Sequence, residues 1–93
     1  MVKLKGRLIC SSIDHRQAIE AHLPEHIRLS RAEPGCIFFA VTPSADAAVW
    51  QVEERFVDRA AFDAHQQRTQ NSVWGQATAG IAREYQVLDE EGE

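Results

Sequence analysis

Two side chains in this sequence have the types and spacing for proton-transfer chemistry, and both sit where apolar residues are expected. Glu54 falls in the set Trp50, Val52, Glu54 and Phe56, while Gln51, Glu53 and Arg55 occupy the intervening positions. Such alternation marks a strand with one apolar face, so the Glu54 carboxyl shares the face that seeks a core. A carboxyl so placed is ion-paired, reaches water through a cavity, or has a raised pKa that suits acid–base work. His65 follows Ala61 and Phe62 on the inner face of a helix opened by Asp58, and an imidazole titrates near neutral pH. Each also has a purely structural reading: an ion pair or a strand-end contact with water for Glu54, one core hydrogen bond for His65. Gly6 lies on the apolar side of the first strand, where a missing side chain leaves room. The pattern therefore directs Gly6, Glu54 and His65 toward one space between helix and sheet.

Aromatic residues supply the walls of that space. Phe38, Trp50, Phe56, Phe62, Trp74 and Tyr85, with His65 and Glu54 among them, have the composition of a small-molecule pocket. The competing reading is core packing, with the Trp74 N–H and the Tyr85 hydroxyl satisfied internally. His15, His22 and His26 form a stripe on the first helix, and a four-residue spacing suits two-histidine metal binding. Pro24 lies inside that pair and no Cys or Asp completes a ligand set, so a solvated helix face and no metal are expected. Cys10 and Cys36 fall at opposite ends of two parallel strands, too far apart for a disulfide, and read as free thiols. There is no phosphate-binding glycine loop, nucleotide fingerprint, CxxC or GxSxG, and no cofactor is expected.

The elements that must position these residues can be read in order. Residues 2–10 alternate as a strand. Ser11, Ser12 and Asp14 offer helix caps, and residues 13–32 read as a helix with Ile19, Leu23 and Ile27 inward. Pro24 predicts a kink or break near residues 22–24. Residues 36–42 form a nearly continuous apolar run, a strand buried on both faces. Residues 48–57 form the Glu54 strand. A helix follows from Asp58 to about Thr69, then a shorter one over about 73–80 with Val73, Trp74 and Ala77 inward, and a last strand over 82–88. The order β-α-β-β-α-β predicts an α+β, ferredoxin-like antiparallel sheet with helices on one face. The other face, left open, predicts face-to-face pairing of two sheets in a homodimer.

Charge narrows the partners. The chain has 93 residues, 14 acids and 10 bases, for a net charge of −4. Four of the acids are Asp89, Glu90, Glu91 and Glu93, so the body over residues 1–88 is neutral. A neutral body lacks the concentrated positive surface that nucleic acid requires. No apolar run approaches the roughly 20 residues that span a bilayer, and the N-terminus is too poor in apolar residues for a signal peptide. One domain over 1–88, an acidic tail over 89–93 that is mobile or hangs from the dimer surface, and a cytoplasmic location are expected.

At this point the sequence resembles a known family. The run LSRAEPGCIFF over residues 29–39 resembles the helix-to-strand turn of the antibiotic biosynthesis monooxygenases, and VEERFVDRAAFDAH over 52–65 resembles their strand ending in Glu-x-aromatic followed by a helix ending Ala-Phe-x-x-His. Trp74 and the closing Tyr85 strand agree, and the resemblance spans about residues 2–88. It implies a dimeric α/β barrel with a pocket between helices and sheet in each subunit. Some members are cofactor-free monooxygenases of phenolic or quinol substrates, and others degrade haem. The haem-degrading members carry Asn, Trp and His where this sequence has Gly6, His65 and Gly75, so that route is not expected. The expected function is oxidation of a small phenolic or quinol substrate by dioxygen. His65 is the expected base, and Glu54 orients it or acts as the base itself. Trp74 and Tyr85 position the ring, and Asn71 bonds a substrate oxygen. The alternatives are a ligand-binding or isomerase-type dimer, and a pocket filled by side chains.

Overall fold

The structure is a computed structural model that describes residues 1–90. Four strands, β1 (Val2–Ile9), β2 (Cys36–Pro43), β3 (Val49–Phe56) and β4 (Ala82–Asp89), form one antiparallel sheet in the order β2-β3-β1-β4. Helices α1 (Ile13–Arg31), α2 (Arg59–Gln70) and α3 (Val73–Ala77) complete the ferredoxin-like α+β fold. Each helix begins on a side chain that accepts an otherwise orphaned backbone N–H: Ser12 from His15, Asp58 from Ala61 and Ser72 from Gly75.

Register decides which residues reach the site. β1 pairs with β3 so that Leu4 lies opposite Glu54 and Gly6 opposite Val52, and with β4 so that Gly6 lies opposite Tyr85. Val2, Leu4, Leu8, Val52, Glu54 and Phe56 are buried beneath the helices, with Ile19 and Leu23 of α1 and Phe62 of α2. In β2 the register shifts between Cys36 and Phe38, which leaves Ile37 as an extra residue. That bulge re-aims the strand: Phe39 and Val41 enter the core, while Ile37 and Phe38 are 53% and 41% exposed. The strand is thus not buried on both faces within one chain, because every helix packs on the other side of the sheet.

Other expectations are also corrected. α1 runs unbroken through Pro24. Pro24 and Glu20, whose carbonyl loses its helical N–H partner, both lie on the exposed side, where water replaces the missing donor. The buried stripe of α1 is Ile19, Leu23, His26 and Ser30. A strict four-residue repeat drifts around a helix of 3.6 residues per turn, so the third inward position falls on His26 and Ile27 is only half-buried. In α3 only Trp74 is buried, while Val73 is 66% exposed and Ala77 is exposed. β4 continues to Asp89, which meets Arg59 at 3.2 Å, and the Glu90 N–H donates to the Met1 carbonyl. These two acidic residues are therefore held against the sheet; Glu91 and Glu93 of the expected tail lie outside the described residues. Among the described residues no helix is long and apolar enough to cross a membrane.

Candidate active site

The site is built around His65. Phe62 and His65 share the inner face of α2, and the His65 ring packs against Phe56, 4.8 Å between centroids, and Phe39, 5.4 Å. Its Nδ1 lies 2.6 Å from Glu33 Oε1, in the turn between α1 and β2. Arg68, one turn after His65, brings Nε within 3.3 Å of Glu33 Oε2 and donates from Nη2 to Ser30 Oγ. The Nδ1–H of the neutral ring therefore donates to the Glu33 carboxylate, which leaves the lone pair on Nε2, the working nitrogen. Nε2 lies 3.4 Å from Thr69 Oγ1 and 3.6 Å from Glu54 Oε1. The second separation is a charge contact and too long for a direct hydrogen bond.

Burial tunes both partners. Glu54 is 5% exposed, and loss of water together with the negative charge of Glu33 raises its pKa to about 7. Burial also pulls the pKa of His65 down, and this outweighs the opposing pull of Glu33. Glu54, with its pKa raised, and His65, with its pKa lowered, therefore face each other as a buried acid and base.

They open onto a cavity of about 470 Å³ between the sheet and all three helices. Phe39, Val41 and Val52 line its apolar side, and Trp74 and Tyr85 its aromatic side. The Tyr85 ring lies against Gly6, where any Cβ would collide with it. The room expected at Gly6 is thus taken by Tyr85, and burial raises the pKa of its phenol. His26 also lines the cavity, 4% exposed and stacked on Trp74 at 4.6 Å with 4° between the planes. The histidine stripe does not act as one unit: His15 Nδ1 accepts from the Ser11 N–H, while His26 is in the core rather than in solvent. Among the described residues no three His, Cys, Asp or Glu gather to hold a metal ion. Cys10 and Cys36 are free thiols.

The structure thus brings together His65, Glu54, Trp74 and Tyr85 of the residues expected from sequence. The others lie elsewhere. Phe56 and Phe62 pack on each other at 5.8 Å behind His65 and do not line the cavity. Trp50 is half-buried against the core near the far end of β3. Phe38 points to the open sheet face under Arg55. Asn71 caps α2 and donates to the Gln67 carbonyl. Sequence reasoning missed Glu33, Arg68 and His26. Arg68 stands three residues after His65, a helical-neighbour spacing; His26 completes the 19-23-26-30 stripe; Glu33 carries no local signal beyond its place before Pro34-Gly35.

The helices thus cover a cavity on one face of a ferredoxin-like sheet, and a buried carboxyl stands beside an oriented imidazole at its wall. The sequence pattern of the antibiotic biosynthesis monooxygenase family matches residues 12–75, and the chain belongs to that family. A Nitrosomonas europaea protein that carries the same family name superposes with a TM-score of 0.82 at 20% identity, covering 98% of this chain and 99% of its own. The Rv0793 protein from Mycobacterium tuberculosis is similar at 27% identity, with a TM-score of 0.74 and coverage of 99% and 96%. A Deinococcus radiodurans protein of the same family name shares 20% identity, with a TM-score of 0.76 and coverage of 100% and 94%. No curated protein matches the chain.

Proposed function

We propose that the protein is a cofactor-independent monooxygenase that oxidises a small phenolic or quinol substrate with dioxygen, working as a homodimer. The observation that carries this reading is the His65–Glu54 pair, buried at the wall of an aromatic cavity. A substrate hydroxyl set between His65 Nε2 and Glu54 loses its proton to the pair. The resulting electron-rich anion passes an electron to dioxygen, and the two radicals join as a peroxide. Return of the proton then expels water: in an anthrone-type phenol the CH₂ between the rings becomes C=O, in a hydroquinone the peroxide forms at a ring C–H and leaves the hydroxyquinone, and in both one oxygen atom enters the product and the other leaves as water. Glu33 holds the imidazole in the tautomer that this sequence needs. The exposed Phe38 and Ile37 support pairing of the open sheet faces.

Oxygen uptake with anthrone-type phenols and hydroquinones tests the reading. His65→Ala is expected to lower kcat by about 10²- to 10⁴-fold, the range of a lost general base. Glu54→Gln is expected to flatten the rise of kcat/KM with pH near 7. Tight binding of these compounds with no oxygen uptake points instead to a ligand-binding module.

A further inference from the structure

A carboxylate beside an imidazole base acts in two opposed ways. Glu33 Oε1, 2.6 Å from His65 Nδ1, fixes the direction of the ring. Its negative charge also draws a second proton onto the ring, and an imidazolium has no lone pair with which to act as a base. The side chain that meets Glu33 from α2 is Arg68, three residues after His65. Its Nη2 donates to Glu33 Oε1 at 3.4 Å, and its Nε, buried without a hydrogen bond, faces Oε2 at 3.3 Å as a charge contact. The side chains of Arg68 and Glu33 are 30% and 18% exposed, so water and salt screen this pair only in part.

We propose that Arg68 is a positioning residue that acts on His65 through Glu33: it holds the carboxylate on Nδ1 and cancels its charge, so that Glu33 orients the ring without making it an imidazolium. The proposal deepens the reading of His65 as the base, and its value for catalysis rests on that reading.

Three elements fix the arrangement. The Glu33 N–H donates to the Ser30 carbonyl in the last turn of α1, and the Glu33 carbonyl accepts from the Cys36 N–H at the start of β2, so the turn holds the Glu33 backbone on both sides. Arg68 Nη2 also donates to Oγ of the fully buried Ser30 at 3.0 Å, which sets where the guanidinium stands beside Glu33. The two charges act on the ring with opposite signs: burial lowers the His65 pKa, the hydrogen bond and charge of Glu33 raise it, and the charge of Arg68 lowers it. The other ionisable groups around the ring are Glu54 of β3 at Nε2, His26 of α1 at 6.1 Å between ring centroids, and Arg83 and Tyr85 of β4 across the cavity. They are common to every variant compared below, so differences between variants belong to Glu33 and Arg68.

Proton–nitrogen NMR of the full chain, isotopically labelled at its histidine nitrogens, reads the ring without turnover. His65 is recognised by its contact with the Phe56 ring, 4.8 Å between centroids. At neutral pH wild-type His65 is expected to carry one proton, on Nδ1, with Nε2 bare. Arg68→Gln is expected to raise the titration midpoint of the ring by about one pH unit, a tenfold gain in proton affinity, whereas Glu33→Gln is expected to lower it. Loosened packing would instead raise both midpoints, by letting water reach the ring. Arg68→Lys returns the charge and should recover at least half of the rise. A wild-type ring with its proton on Nε2, an unchanged midpoint in Arg68→Gln, a raised one in Glu33→Gln, or no recovery in Arg68→Lys overturns the proposal. If Arg68→Gln fails to fold, the same substitution in the Glu33→Gln background decides: it is expected to raise the midpoint, and no rise overturns the proposal. The expected midpoints in a protein that consumes no oxygen remove the monooxygenase reading and leave this charge balance standing.

Discussion

The two faces of the sheet carry similar residue types to different ends. On the open face charge is plentiful and wet: Arg7 and Glu84 approach to 2.7 Å with both side chains more than half exposed. Exposed pairs of this kind are worth about 0–1 kcal/mol. On the helix-covered face charge is scarce and dry. His65 and Glu33 approach to 2.6 Å with side chains 1% and 18% exposed, and nearby Glu54 and His26 are driven far from their ordinary pKa values. The lesson is that access of water, rather than the number of ionisable groups, separates a surface from a site.

Neighbouring phenylalanines in β2 give the strongest way to break that contrast. Phe39 is 1% exposed and touches both His26 and His65; Phe39→Ala is expected to cost about 3–5 kcal/mol by urea denaturation. Phe38→Ala, one residue away on the open face, is expected to cost under about 1 kcal/mol at concentrations too low for dimers, and to weaken the dimer when association is followed by light scattering. Equal losses of monomer stability would erase the difference between the faces.

Acid and base then act on the dry face with opposite signs. Folding raises the Glu54 pKa from 4.5 to about 7, so its stabilising effect is complete below the unfolded value and is lost as pH rises through about 7. Folding lowers the His26 pKa from 6.5 to about 3, so its contribution is complete above 6.5 and is lost as pH falls through about 3. The two slopes cancel between about 4.5 and 6.5, where a stability plateau is expected. Glu54→Gln should gain roughly 3 kcal/mol relative to wild type between pH 5 and pH 8, and denaturation at the two pH values measures it. The smallest effect belongs to the wet pair Lys3–Glu90, at 3.3 Å with side chains 38% and 45% exposed. Glu90→Gln is expected to change stability by about 0.5 kcal/mol or less, and a larger loss would place that ion pair among the structural ones.

Much of this arrangement was legible in the chain. Alternation in β1 and β3 fixed which side of each strand faces the helices, and with it the place of Glu54. Asp58 and the Phe62–His65 spacing fixed the working face of α2. The Ile37 bulge was not legible, because a continuous apolar run has no parity to read, and Phe38 was assigned to the wrong face as a result. His26 was misplaced by a strict four-residue pattern, which drifts on a helix of 3.6 residues per turn, and the packing of Trp74 from α3 covers the position that turns inward. Glu33 comes from a turn, where no periodicity reports on direction.

The flat contact between Trp74 and His26 has a consequence in optics. An imidazolium quenches the excited state of an adjacent indole more strongly than a neutral imidazole does. Burial holds the pKa of His26 down at about 3, so quenching of Trp74 by its imidazolium is expected only in strong acid. The chain has two tryptophans, so replacing Trp50 by Phe leaves a single lamp inside the cavity, and its brightness reports whether His26 is still dry.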